Sequence, residues 1–498
     1  MTDKPVSRKF LGEPYFGTPL GTDYHLLPFR FHAIGDTREV LVNETGDHLL
    51  VPRGTAGRIV RREIDESESL YEDLTANFFI SATPVPELLD VISTRYITKK
   101  GFLESGTSLH IFVITLRCNH SCHYCQVSRV TQNQDKFDIS TEDIKAGIVH
   151  MLASPSDEIT MEFQGGEPLL AFEKVRYAVE TTVELNQATR KRISFVLCTN
   201  LTVLSDEILL FCQEHAILIS TSLDGPEFVH NPNRAKSGAA SYDLVIEGIN
   251  RAREALGHDR VSALMTTTAL SLQYPREIID VYVEQGFQGI FLRPISPYGF
   301  AVKNQKKNAY ETERFLDFYK TGLQHILSLN AGGTYFKEDY TSLILQKVLT
   351  PFGTHYVDLQ SPTGLVNSVV VFNYDGFVYA SDEARMLAER KDYTFRLGHV
   401  SQPYAELFSS QKAVNLVNSG IAESLAGCSD CAFLPYCGAD PVLHHATQQD
   451  MEGNRAFSIF CKKNMEMIRH LFELLDSGDS AQEAILRTWT HQKPVTAW

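Results

Sequence analysis

Cys118, Cys122 and Cys125 fall within the stretch RCNHSCHYCQVSR (117–129), separated by three residues and then by two. Nine cysteines occur among 498 residues, and three of them lie within these eight positions. Three thiols cannot all pair as disulfides. Three ligands do not close a tetrahedral zinc site, although His120 or His123 would complete one. A four-iron, four-sulfur cluster held by three thiolates leaves one iron without a protein ligand, open to a substrate or cofactor.

A second group repeats the pattern near the other end. CSDCAFLPYC places Cys428, Cys431 and Cys437 together, and Cys461 follows 24 residues beyond Cys437. Four thiolates hold either zinc or a closed iron–sulfur cluster, and the spacing alone does not separate the two. Cys198, inside an apolar run, and Cys212, inside a helical pattern, read as packed thiols.

Redox compartment decides how clustered thiols are read. The N-terminus MTDKPVSRKFLGEPYFG lacks the apolar stretch of a secretory signal, and no run of 18 apolar residues could span a membrane. These features point to the cytoplasm, where thiols stay reduced and clustered cysteines are metal-binding or catalytic before they are disulfides. A formal net charge of −15 argues against a general nucleic-acid binder.

Elements must position these groups. Apolar runs at 109–116, 158–164, 193–200, 216–223, 261–269 and 289–295 alternate with segments of helical spacing, such as TEDIKAGIVHML (141–152) and SDEILLFCQEH (205–215). Near-continuous apolar strands alternating with helices predict a parallel sheet covered on both faces. Six such units make a partial (β/α)6 barrel of the TIM type, with a doubly wound sheet as the alternative. Either fold puts its ligand site at the C-terminal ends of the strands, where the first cysteine group begins. Residues 1–105 read as a small α/β domain, with strands either side of the Glu44–Asp47 turn and a helix from Thr55. Residues 106–300 read as the core, 301–365 as a helical connection, and 366–498 as a cysteine-bearing region that opens with a hairpin around Tyr374-Asp375-Gly376 and ends in a helical tail.

The ends of the other strands carry their own signals. FQGGEP (163–168) has two glycines that let backbone approach a ligand closely, beside a carboxylate that can accept from an ammonium group. CTNLT (198–202) and STSLDGP (220–226) end the next two strands; Ser222 and Asp224 also suit a plain turn. The C-x-x-x-C-x-x-C spacing after the first strand, with Tyr124 before the third cysteine and Gly-Gly-Glu-Pro after the second strand, resembles the radical SAM superfamily. That resemblance implies a [4Fe-4S] cluster on Cys118, Cys122 and Cys125 whose open iron binds S-adenosyl-L-methionine. It implies that Gly165, Gly166 and Glu167, with Gln164 beside them, hold the methionine amino group. It also implies ribose and carboxylate contacts from Asn200 and Ser222. Arg234 either meets the SAM carboxylate or sits as a solvated loop side chain.

The second cysteine group resembles the SPASM extension of radical SAM enzymes that modify peptides. A full extension has seven cysteines and two auxiliary clusters. Here Ser381 and Pro441 stand where two cysteines of the first auxiliary cluster are expected. Cys428, Cys431, Cys437 and Cys461 match the complete set of the second, so the resemblance implies two [4Fe-4S] clusters in all. Asp382 stands where related sulfatase-maturing enzymes place a catalytic base; its other reading is a surface aspartate of the hairpin.

LPFRFH (27–32), TSLHIFVITLRCNHSCHYCQVSR (107–129) and the overall length are similar to the maturases of the His-Xaa-Ser system. This implies a ribosomally made peptide or small protein carrying His-Xaa-Ser repeats as substrate. A second radical SAM protein and a flavodoxin- or ferredoxin-type electron donor are the implied partners. The N-terminal block weakly resembles leader-peptide recognition elements, or is a cap with no partner. The implied reaction is hydrogen abstraction by a 5′-deoxyadenosyl radical followed by cross-linking; dehydrogenation, epimerisation and thioether formation are alternatives. A zinc-binding scaffold with no catalytic activity is the rival from another class.

Overall fold

A computed structural model of the protein describes residues 24–83, 86–127, 130, 134–238, 240–304 and 308–490. The chain divides after Tyr96 into two compact units. In the first, β1 (His25–Leu26) pairs antiparallel with β5 (Ile80–Ser81). Strands β2 (Phe29–Ile34), β3 (Arg38–Asn43) and β4 (His48–Pro52) form an antiparallel sheet in that order. The expected turn between β3 and β4 is built by Asn43, whose side-chain oxygen accepts from the amides of Thr45 (2.9 Å) and Asp47 (3.0 Å). Leu41, Ile59, Leu74 and Phe79 bury fully into a small core between this sheet and the helices Thr55–Val60 and Ser69–Ala76.

The second unit is organised by a sheet of eight strands in the order β10-β9-β8-β7-β6-β13-β14-β15. Its parallel part comprises β6 (Leu109–Thr115), β7 (Glu158–Gly165), β8 (Arg192–Cys198), β9 (Leu218–Ser222) and β10 (Val261–Leu264). Both faces are covered, and Ile111 to Ile114 are at most 3% exposed. Ser140 and Ser205 cap the helices Thr141–Leu152 and Asp206–Glu214 by accepting from the amides of Asp143 and Ile208.

The sixth expected strand shrinks. β11 covers only Gly289–Ile290 and pairs with β12 (Lys337–Glu338), not with β10. A single bridge, Thr267 to Pro294, links this segment to the β10 side. Pro294 and Pro297 have no N–H to donate, so a longer ladder cannot form there.

The expected hairpin forms as β13 (Val369–Phe372) and β14 (Phe377–Tyr379), turning at Gly376 with φ 77°. β13 lies parallel to β6, and β15 (Arg396–His399) pairs antiparallel with β14. Phe112 of β6 and Phe372 of β13 pack with ring centroids 4.8 Å apart. The sheet thus runs across the boundary expected at residue 365. The long helix expected over 310–329 occupies Thr312–Ala331. The helical tail is two helices, Ile459–Leu475 and Ser480–Thr488, broken at Gly478 with φ 75°.

Candidate active site at the mouth of the parallel sheet

The cysteine loop leaves β6 at Thr115 and is tied down on several sides. Arg117 forms a two-pronged ion pair with Asp138 (2.7 and 2.6 Å) and donates to the carbonyl of Leu170. The Ser121 amide donates to the carbonyl of Ala235 (2.6 Å), and the Phe300 amide donates to the carbonyl of Cys125 (2.7 Å). Asn200, predicted as a cofactor contact, donates to Asn119 inside the loop (2.9 Å).

Tyr124 is 5% exposed and donates to Asp224 at 2.6 Å. Asp224, fully buried in the turn after β9, also pairs with Arg234 at 3.1 Å. The Arg234 guanidinium lies over the Tyr124 ring, 5.4 Å from its centroid. This overturns the solvated-loop reading of Arg234, whose side chain is 13% exposed. Its Nε has no partner, so a donor remains for an acidic group beside the loop. Burial, with smaller contributions from Glu167, Cys122 and Cys125, pushes the Cys118 thiol up to about 12. Thiolate ligation would supply the charge compensation that this burial withholds.

Gly165 and Gly166 sit where backbone meets backbone. A Cβ on Gly165, at φ 150°, would lie 2.0 Å from the carbonyl oxygen of Thr115, and one on Gly166 2.3 Å from that of Arg117. This cradle admits no side chain at either position. Glu167 is fully buried, and its carboxylate accepts from the Leu169 amide (3.0 Å), the Thr199 hydroxyl (2.6 Å) and the Asn200 amide (2.7 Å). It therefore buckles the end of β7 to the end of β8, a positioning role that its motif does not announce. Burial still pushes its carboxyl up to about 7.

Inside the sheet mouth, Gln164 donates to Glu162 at 2.5 Å, and the Cys198 thiol donates to the same Glu162 oxygen at 3.4 Å. Cys198 is thus a packed thiol that also has a hydrogen-bond partner, and Cys212 is fully buried on its helix. Burial raises both Glu162 and Cys198, with the Asp382 charge adding to each. Asp382 begins the helix Asp382–Ala388 and pairs with Arg385 at 2.6 Å, whose side chain is wholly buried. It is therefore no surface aspartate of a hairpin. Ser222 ends β9 and is half-buried. Glu162 and Arg385 were not singled out from sequence. Strand periodicity would have found Glu162, which stands two residues before Gln164 on the same face.

Cys428, Cys431, Cys437 and Cys461 line one small cavity, with Arg455 at its wall. Burial pushes the Cys428 thiol up to about 12, and Cys431, Cys437 and Cys461 contribute in the same direction. Among the described residues no group of three His, Cys, Asp or Glu side chains is arranged to hold a single metal ion. The chemistry of both donor sets suits an iron–sulfur cluster. No helix among the described residues is long and apolar enough to cross a membrane.

Residues 112–281 match the family model of the radical SAM superfamily. The cysteine-type anaerobic sulfatase-maturating enzyme of Clostridium perfringens is 23% identical over 381 residues, 72% of this chain and 94% of that protein. The fold is similar to that of anSMEcpe with bound AdoMet, with a TM-score of 0.61, 19% identity, and coverage of 77% of this chain and 99% of the other. It is also similar to Streptococcus suis SuiB bound to the precursor peptide SuiA, with a TM-score of 0.51, 13% identity, and coverage of 87% and 98%. The radical SAM domain implies a [4Fe-4S] cluster and SAM, and the thiols and the glycine cradle fit both. Residues 112–281 form a radical SAM domain, and the chain is a radical SAM enzyme related to the anaerobic sulfatase-maturating enzymes.

Proposed function

We propose that the protein matures a ribosomally made peptide or small protein, forming a cross-link at a site opened by hydrogen abstraction. One observation carries this reading. The likeness to the sulfatase-maturating enzyme extends far beyond the radical SAM domain, to 72% of this chain, and structurally similar enzymes are described with peptides bound.

When bound, the cluster and SAM supply a carbon radical able to remove a hydrogen atom from a substrate. This chain's residues do the rest. Cys118, Cys122 and Cys125 hold the cluster, the Gly165–Gly166 backbone receives the methionine end, and Asn200, Ser222 and the free Nε of Arg234 face ribose and carboxylate. In this reading Asp382, paired with Arg385, accepts a proton from the substrate. Cys428, Cys431, Cys437 and Cys461 hold a second, closed [4Fe-4S] cluster suited to passing an electron. A leader segment docks as an added strand on an edge of the β2–β3–β4 sheet. The likeness to the His-Xaa-Ser maturases makes a His-Xaa-Ser peptide the first substrate to test, with a second radical SAM protein and a flavodoxin- or ferredoxin-type donor as partners.

A second reading is favoured by the Cys198–Glu162 pair. A thiol at the sheet mouth can return a hydrogen atom to a substrate radical, which would give epimerisation. The test is co-expression with a His-Xaa-Ser peptide, followed by mass spectrometry. A loss of two hydrogens supports cross-linking, or dehydrogenation if fragmentation across the site is unimpeded. Unchanged mass with an inverted residue supports epimerisation, and an unaltered peptide removes the maturase reading.

A further inference from the structure

A cavity of about 490 Å³ opens beside the sheet mouth, within the range of sites that hold small molecules or single side chains. Ser381 and Pro441, the two positions where the SPASM resemblance expects cysteines, both line it. No cysteine does. The cavity therefore cannot hold a thiolate-ligated cluster, and it is furnished differently. Asp358, Glu383 and Asp440 bring three carboxylates to its walls, and Arg293 and Lys463 bring two cations. Arg390, which also lines it, is exposed.

The charges inside are poorly matched. Arg293 approaches Glu383 only to 4.0 Å. Lys463 lies over the Tyr340 ring, 4.6 Å from its centroid. Asp440 uses one oxygen on the amide of Leu443 (2.9 Å). Tyr298 is 1% exposed and lines the cavity, yet its hydroxyl has no partner. Burial raises that hydroxyl, and the charges of Asp440, Glu383 and Asp358 raise it further while Arg293 opposes them. Burial, with repulsion from Asp358, pushes Glu383 and Asp440 up to about 7 each. A buried hydroxyl without a partner, set among three acids, leaves hydrogen-bonding capacity that a guest with N–H groups can use.

Position says what the guest belongs to. Tyr298 is in the cavity wall, while its neighbours Gly299 and Phe300 pack on the cysteine loop: the Phe300 amide donates to Cys125, and a Cβ on Gly299 would lie 2.3 Å from the Gln126 carbonyl oxygen. Glu383 is in the cavity, while its neighbour Asp382 acts on Glu162 and Cys198 at the sheet mouth. We propose that this cavity is a specificity pocket that takes a basic side chain of the substrate, next to the residue at the reacting centre. The proposal rests on the peptide-maturation reading. The guest's N–H groups donate to Glu383, Asp440 and the Tyr298 oxygen, and its aliphatic or ring portion packs on the aromatic wall.

The test titrates the full chain, reconstituted anaerobically with iron and sulfide, with N-acetyl methylamides of single amino acids by calorimetry. Arginine is compared with citrulline, and lysine with norleucine, because each pair differs in charge at similar length. The basic member of at least one pair should bind about tenfold tighter, as a buried charge-assisted hydrogen bond gives. The Glu383→Gln/Asp440→Asn double variant should reduce that preference to less than about twofold. Equal binding of charged and neutral partners, or a preference that survives the double variant, overturns the proposal. If that variant does not fold by circular dichroism, Tyr298→Phe decides: the basic ligand should weaken about threefold or more, and unchanged affinity counts against the pocket. A charge preference without any peptide modification leaves the pocket standing and removes the maturase reading. A modified peptide without charge preference does the reverse.

Discussion

Tyr124 and Asp224, a hundred residues apart, meet through a 2.6 Å hydrogen bond, and Asp224 passes the contact on to Arg234. The aromatic residue ahead of the third cysteine is thus an anchor. It fixes the cysteine loop to the turn after β9 through a buried acid and its counter-ion. Tyr124→Phe should cost about 1.5–3 kcal/mol, the value of a hydrogen bond to a charged acceptor. Asp224→Ala should cost about 3–5 kcal/mol, because Arg234 is left buried without its partner. Urea unfolding of both variants checks the order, and iron content should fall with stability. Two variants within experimental error of wild type would show that the loop is held elsewhere.

The helix that follows this turn, Glu227–Asn233, contains a histidine held neutral. His230 is 1% exposed, its Nδ1 accepts from the Asp224 amide (3.2 Å), and its Nε2 faces the Ser241 hydroxyl (3.1 Å). Burial lowers it from 6.5 to about 4. The unfolded chain takes up this proton as pH falls through 6.5, and the folded protein does not until about 4. Stability is therefore lost as pH drops across that window, by about 3 kcal/mol for this group. Unfolding midpoints between neutral pH and pH 4.5 should slope less steeply in His230→Gln than in wild type. Parallel slopes would mean that His230 titrates normally.

Gly165→Ala should be far worse than Gly257→Ala, although both glycines have positive φ (150° and 102°). Nothing lies within 4 Å of a Cβ on Gly257, whereas one on Gly165 strikes the Thr115 carbonyl. Backbone strain alone predicts about 1–3 kcal/mol for each. The clash adds to this only at Gly165, where SAM affinity should also collapse. Equal effects on thermal midpoint and on SAM binding would contradict the cradle.

Iron counting separates the two cysteine sets. Reconstituted wild type should hold about eight irons per chain, and Cys118→Ala/Cys122→Ala/Cys125→Ala about four, with no 5′-deoxyadenosine formed from SAM. Cys428→Ala/Cys431→Ala should also hold about four but still cleave SAM. About twelve irons in wild type would require ligands in place of Ser381 and Pro441.

Asp382→Asn keeps a hydrogen-bonding oxygen beside Arg385 but cannot take a proton. SAM cleavage should continue in this variant while the mass change of the peptide disappears. A variant that modifies the peptide at wild-type rate would leave Asp382 as the partner of Arg385 and nothing more.

Local pattern was legible wherever a residue's role depends on its neighbours in the chain. The spacing of Cys118, Cys122 and Cys125, the Gly165–Gly166 pair and the first five parallel strands all belong to this class. Apolar periodicity and short-range geometry determine them. The sixth strand failed because prolines remove ladder donors that apolar composition does not register. Roles set by distant partners needed the tertiary structure. Nothing near Arg234 in the chain says that Asp224 and Tyr124 enclose it, and nothing near Asp382 says that Arg385 is buried against it. Glu167 sits in a motif that suggests ligand contact, yet three donors from two segments claim its carboxylate. The joining of β13 to β6, which brings the hairpin into the main sheet, likewise rests on contacts between distant segments. Burial and pairing of a charge depend on what the fold brings within a few ångströms, and sequence order does not encode that distance.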